Sequence, residues 1–212
     1  LRIRVASGSQ LAGHGPRPRA PGDSVASVQV HQSFLNNFCE QLAWEGKTFS
    51  LPQLREDVSQ RLNRHWEVEP GQEHDEVQIT FARQNAVRMR CEDGRIELNL
   101  AIAQLKLHQT TWHDFVVRVF YKPNLSVPQG LVERDGPVQL IGDRLGPKAQ
   151  LALRSIFSKT FSQSKHFNIL PDNLAETRPG LANLSVAQFD VDDEWIGLAF
   201  GTQASPTRQA RK

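Results

Sequence analysis

The residues of this 212-residue chain that could do chemistry are few, and their spacing suits chemistry poorly. His108, His113 and Asp114 surround one turn, with the residue types of a metal site or an acid/base pair. No cysteine or third histidine stands at metal-ligand spacing, so they read as ordinary polar turn residues. Asp190, Asp192, Asp193 and Glu194 form a carboxylate run that lacks the glycine and the spaced glutamate of a calcium loop, and a solvated hairpin tip is expected there. Gly142, Gly146 and Lys148 precede a helix start, but the glycine spacing fits neither phosphate-loop nor dinucleotide patterns. Ser155 and Ser158 fall inside a predicted helix without flanking glycines, and Cys39 lies on another with His31 before it and no third group. The sequence therefore assigns no catalytic residue, no metal site and no cofactor, and a non-enzymatic protein is expected.

The bulk numbers narrow the class further. Twenty-five basic residues against 23 acidic ones leave a net charge of +2, too balanced to imply a nucleic-acid partner. With 39% hydrophobic residues the chain can bury a sizeable core, yet no apolar run is long enough for a membrane-spanning helix. Cys39 and Cys91 read as two buried free thiols, with a bridge open to them only if they meet.

The positioning elements follow from periodicity. Apolar residues alternate through Val77, Ile79, Phe81, then Val87, Met89, Cys91, then Ile96 to Ile102, then Phe115 to Tyr121, with Glu92-Asp93-Gly94 as a turn. That is an antiparallel meander with one greasy face, unlike the continuous apolar strands of a doubly wound sheet. The wet face carries Arg88, Arg90, Arg95 and Arg118 interleaved with Glu92 and Glu97, which predicts cross-strand ion pairing and not a basic patch. The apolar phase slips between Ile102 and Leu105, which requires a bulge near Ala103-Gln104.

Helices flank this sheet. Phe34, Leu35, Phe38 and Leu42 mark a short one, and Ser50, Pro52 and Gln53 form a capping box for a second over 51–64. Pro147 starts the longest, 147–163, with Leu153, Phe157 and Phe161 as its stripe. Arg134-Asp135-Gly136 is expected to turn a hairpin between 131–132 and 138–140, with an irregular segment between Pro123 and Pro128. Leu184 to Val191 and Trp195 to Gly201 form a closing hairpin. The fold class is α+β: a coiled antiparallel meander packed on one long amphipathic helix, with two shorter N-terminal helices. The domain is expected over 25–201, with a strand of a preceding module at 1–6, a linker at 7–24 and a disordered basic tail at 202–212. The preceding domain of the same chain is thus an expected partner, and the chain a C-terminal module.

This order of elements, with Val30-His31-Gln32-Ser33-Phe34-Leu35-Asn36-Asn37 opening the first helix, resembles one half of the tubular lipid-binding, BPI-like proteins and their single-half bacterial envelope relatives. The resemblance implies a coiled sheet wrapped around a long helix, an acyl chain or other apolar small molecule in the space between, and a location in the bacterial envelope or periplasm. Ile102, Val117, Leu153, Phe157, Phe161 and Trp195 would line that groove. The alternative is a structural or protein-interaction domain with a filled core and no ligand. In limited proteolysis, cleavage is expected first within 7–24 and 202–212, with 25–201 resisting; early cuts inside the meander would show the boundaries to be misplaced.

Overall fold

A computed structural model describes residues 19–62, 76–126, 130–161, 167–170 and 174–202. The chain is mixed α+β and its strands pair antiparallel. The expected end strand at 1–6, most of the linker at 7–24, all but the last residue of a polar loop expected at 67–76, the ends of the second and third predicted helices and nearly all of the tail lie outside the described residues.

Two sheets form. The larger takes β2 (Thr48–Ser50), β3 (Gln78–Phe81), β4 (Val87–Glu92), β5 (Arg95–Leu107), β6 (Thr110–Asn124), β7 (Leu131–Ile141) and β8 (Phe167–Asn168), in the order β2-β3-β5-β6-β7-β8 with β4 also on β5. β3 and β4 lie end to end along one edge of β5, and Ala101 bridges the gap by accepting from Ala82 N–H and donating to Ala86 C=O (2.8 and 2.9 Å). The smaller sheet has the order β1-β10-β9, built from β1 (Ala26–His31), β9 (Leu184–Asp192) and β10 (Trp195–Thr202).

Turn chemistry sets two of the hairpins. Asp93 and Gly94 both have positive φ, the conformation of a two-residue turn whose twist matches its strands. Asp193 and Glu194 adopt it without a glycine, so Glu194 is held at φ 69°, where a side chain costs roughly 1–2 kcal/mol.

The expected phase slip is real and it runs through two strands. The β3–β5 register shifts by one residue around Ala103, while Asp114, at φ 51° on β6, keeps the β5–β6 register unbroken. On either side of this point Ile102 and Leu105 are both buried, as is Phe115. The expected hairpin at 134–136 is corrected: 131–141 is one strand. Val119 faces three residues there, Gly136 to Val138, because Arg118 pairs with Gln139 and Phe120 with Asp135. Gly136, at φ 76°, and Pro137, which has no N–H to leave unpaired, make a bulge and not a reversal. The irregular segment expected from Pro123 is likewise corrected, since β6 continues to Asn124 with Pro123 opposite Val132.

The three longer helices among the described residues are α1 (Gln32–Gln41), α2 (Leu51–Leu62) and α3 (Pro147–Thr160). Ser50 and Gln53 cap α2 reciprocally, Ser50 N–H donating to Gln53 Oε1 (2.8 Å) and Gln53 N–H to Ser50 Oγ (3.3 Å). Leu153, Ile156 and Phe157 of α3 join Phe115, Val117 and Val138 in the main core, each large side chain contributing about 1.5–3 kcal/mol. A second core, with Cys91, Val186, Phe189, Val191 and Ile196, joins the small sheet to the start of the meander.

The outer edge of β4 is closed by side chains. Met89 N–H donates to Asn36 Oδ1 (2.8 Å), and Asn36 Nδ2 donates back to Met89 C=O (3.0 Å). Cys91 N–H donates to Gln32 Oε1 (3.1 Å), and Cys91 C=O accepts from Glu194 N–H (2.9 Å). Two side chains one helical turn apart thus do what a neighbouring strand would do. Replacing Asn36→Ala strands both groups of Met89 and should lower stability by about 1–3 kcal/mol in denaturant unfolding; Asn36→Asp, which accepts but cannot donate, should fall between. An unchanged midpoint in Asn36→Ala would show that the edge is satisfied without it.

Candidate functional site

The six groove residues do not share one place. Ile102, Val117, Leu153 and Phe157 are at 2, 0, 0 and 1% exposure in the main core. Phe157 meets Phe115 edge-on at 6.4 Å between centroids and stacks on Phe161, itself half-buried, at 6.5 Å. Trp195 is outside that cluster. It opens β10 immediately after the hairpin turn, and its ring meets His31 in a T-shape at 4.8 Å. Its strand neighbours Ile196, Leu198 and Phe200 face the second core, which places the odd-numbered Trp195 on the opposite face of the small sheet.

The polar clusters separate likewise. His108 Nε2 pairs with Glu76 (2.8 Å) and Asp114 with Arg144 (3.6 Å), both in solvent, while His113 lies across from Gln104. Among the described residues no three His, Cys, Asp or Glu side chains converge as a metal would need. Gly142 and Gly146 form the turn into α3; a Cβ on Gly142 would stand 3.0 Å from Phe115 Cβ, so the glycine permits close packing. On the wet face Arg118 Nε bonds Glu97 Oε1 (3.1 Å) and Asn99 Oδ1 (3.0 Å), Arg90 pairs with Glu92 (3.3 Å), and Arg95 reaches Asp135 (3.8 Å) while lying over the Phe120 ring (5.0 Å). Arg118 and Arg95 are spent on neighbours across the sheet, and Arg90 on Glu92 of its own strand.

One constellation escaped the sequence reading. His31 Nδ1 lies 2.9 Å from Ser33 Oγ, and its Nε2 lies 3.3 Å from Glu194 Oε2, the residue types of a hydrolytic triad. The geometry is that of a helix cap. The same Nδ1 lone pair accepts Ser33 N–H (3.1 Å), His31 is the N-cap of α1, and Nε2 has the distance but not the alignment of a hydrogen bond. Glu194 is already engaged, Oε1 with Gln32 Nε2 (2.7 Å) and its carbonyl with Gln32 N–H (2.8 Å). No sequence signal joins residues 31 and 194; their adjacency comes from the β1–β10 pairing.

Both thiols are buried. Cys39 sits in the main core and Cys91 in the second, both free. Burial pushes each thiol up to about 11, helped by Glu40 at Cys39 and by Glu194 at Cys91. Burial also takes the Tyr121 hydroxyl to about 12, against the opposing charge of Arg134. No described helix is long and apolar enough to cross a membrane. Neither a scan against protein-family models nor a search of curated proteins finds a match for the chain.

The thiols supply a pH test. Folding favours their protonated forms, so they cost nothing below the ordinary value of 9.0, and stability declines as pH rises from there towards 11. An aromatic disulfide reagent at pH 8 should find no reactive thiol in native protein and two after unfolding. Prompt reaction in the folded state would contradict the burial.

Proposed function

We propose that this chain is a non-enzymatic structural or protein-interaction module with a filled core, acting through its outer surfaces and holding no ligand between sheet and helix. In this reading the bent antiparallel sheet closes on the amphipathic α3 as on a post, while α1 and α2 cover its other borders. One observation carries it. Ile102, Val117, Leu153 and Phe157, from two strands and the helix, keep at most 2% of their surface open. A side chain lining a space wide enough for an acyl chain keeps the surface that faces that space, even when the space is sealed from solvent. Side chains this closed are touching one another.

The absence of a catalytic role rests on the capping geometry of His31 and Ser33, the dispersal of His108, His113 and Asp114, and the raised thiols. The ion-paired arginines of the wet face favour a protein neighbour over nucleic acid.

Native mass spectrometry of the purified chain, with displacement of a fluorescent fatty-acid probe, tests this reading. The expected result is the bare polypeptide mass and no probe uptake. A co-purified lipid mass, or saturable probe binding lost in Leu153→Trp, would overturn the filled-core reading in favour of an apolar-ligand binder.

A further inference from the structure

From the outer edge of β1 we infer an interaction surface whose partner is a second copy of this chain, the two β1 strands pairing antiparallel about a two-fold axis at Val28. The inference deepens the interaction reading above but stands on the β1 edge alone.

Several other sheet edges are closed or short. β4 is sealed by Gln32, Asn36 and Glu194; β2 has three residues and β8 two. On β9, Val191 C=O is taken by Gly94 N–H (2.8 Å), and Val186 packs so closely on Gly130 that an added Cβ would stand 2.9 Å away. β1 differs. Among the described residues it pairs only with β10, and it carries no lysine, no proline and no bulge, the devices that keep edges from pairing. Val25 and Val28, 62 and 46% exposed, both lie on it or at its start.

The register follows from the backbone. Gln32 N–H donates to Glu194 C=O, in line with the pairing of Val30 with Ile196 and Val28 with Leu198, so within β1 even-numbered residues direct their backbone groups to β10, while Val25 N–H, just ahead of the strand, also reaches Phe200 C=O (2.8 Å). Ser27 and Gln29 therefore present theirs outward. Strands related by a two-fold axis perpendicular to the sheet pair residues of like parity. With Val28 opposite Val28 of the copy, Ser27 and Gln29 exchange hydrogen bonds in both directions around a non-hydrogen-bonded central pair. On one face Ala26, Val28 and Val30 continue into Val30, Val28 and Ala26 of the copy; on the other Ser27 meets Gln29. No charge opposes a charge. The segment is self-complementary, which a strand from an unrelated protein would not require, and pairing would join two three-stranded sheets into one of six.

Sedimentation equilibrium of the full chain should show a reversible monomer–dimer equilibrium. Val28→Lys, at an exposed position, sets like charges face to face and should weaken the dimer roughly tenfold or more with unchanged circular dichroism. Cysteine scanning reads the register. Cα atoms of the central pair stand about 4.5 Å apart, within disulfide reach, so Val28→Cys should give a covalent dimer on mild oxidation. Ser27→Cys would face its copy only diagonally, at about 7–8 Å, and should not. The buried Cys39 and Cys91 leave the new thiol alone on the surface. A chain monomeric throughout the concentration range, a dimer indifferent to Val28→Lys, or Ser27→Cys bridging as readily as Val28→Cys would each overturn the proposal. None of these outcomes bears on whether lipid co-purifies, and a lipid mass would leave the β1 pairing standing.

Discussion

The closed edge of β4 is the constraint on which the rest of the architecture depends. A strand edge left open in a partly buried position costs one desolvated group for every N–H and C=O it presents. Here four such groups, on Met89 and Cys91, are met by Asn36, Gln32 and the backbone of Glu194. Those partners come from α1 and from the tip of the β9–β10 hairpin, so one set of bonds ties together the start, middle and end of the described chain. It also explains how Glu194 can be held at positive φ without glycine. Its N–H, its C=O and its carboxylate all have partners that hold the conformation, and local strain persists where the surroundings over-determine it.

Bending is distributed just as specifically. Ala103 and Asp114 shift the inward-facing phase of β5 and β6 at the same level, so the two long strands turn together and keep their register. The Gly136-Pro137 bulge does the same for β7 two strands along. A sheet bent in this way presents two apolar regions in different directions, which is the geometric reason the core is split. α3 covers one region, and the small sheet covers the other.

Local rules were readable where the energy that decides the structure is local. Alternation located β3 to β6, the Asp93-Gly94 turn carried its own φ requirement, and Ser50 with Gln53 specified a cap that needs no distant partner. Asp135-Gly136 shows the limit of that logic. The dipeptide asks for positive φ, which a tight turn and a bulge both provide, and the long neighbouring β6 decides in favour of the bulge. Trp195 fails for a different reason. The resemblance put it in the groove with Leu153 and Phe157, but parity along β10 puts it on the opposite face from Ile196, Leu198 and Phe200, and parity was legible in the residue numbers alone. The bonds of Gln32 and Asn36 had no signature, because amide side chains at the start of a helix are ordinary and their backbone partners lie 59 and 53 residues away.

The aromatic content of α3 decides what kind of interior this fold can have. A helix that keeps a ligand space beneath a sheet presents small or flexible side chains towards it. Phe157 instead meets Phe115 and stacks on Phe161, and Leu153 and Ile156 fill the adjoining turn. Rings carry the most volume for the fewest rotatable bonds, so a core closed with them gains packing at little entropic cost and resists reopening. Opening a space at Phe157 would separate rings that now support one another and expose the strands behind them. On the outside, the same alternation that builds the sheet leaves β1 with a valine in solvent and, among the described residues, no strand beyond its outer edge.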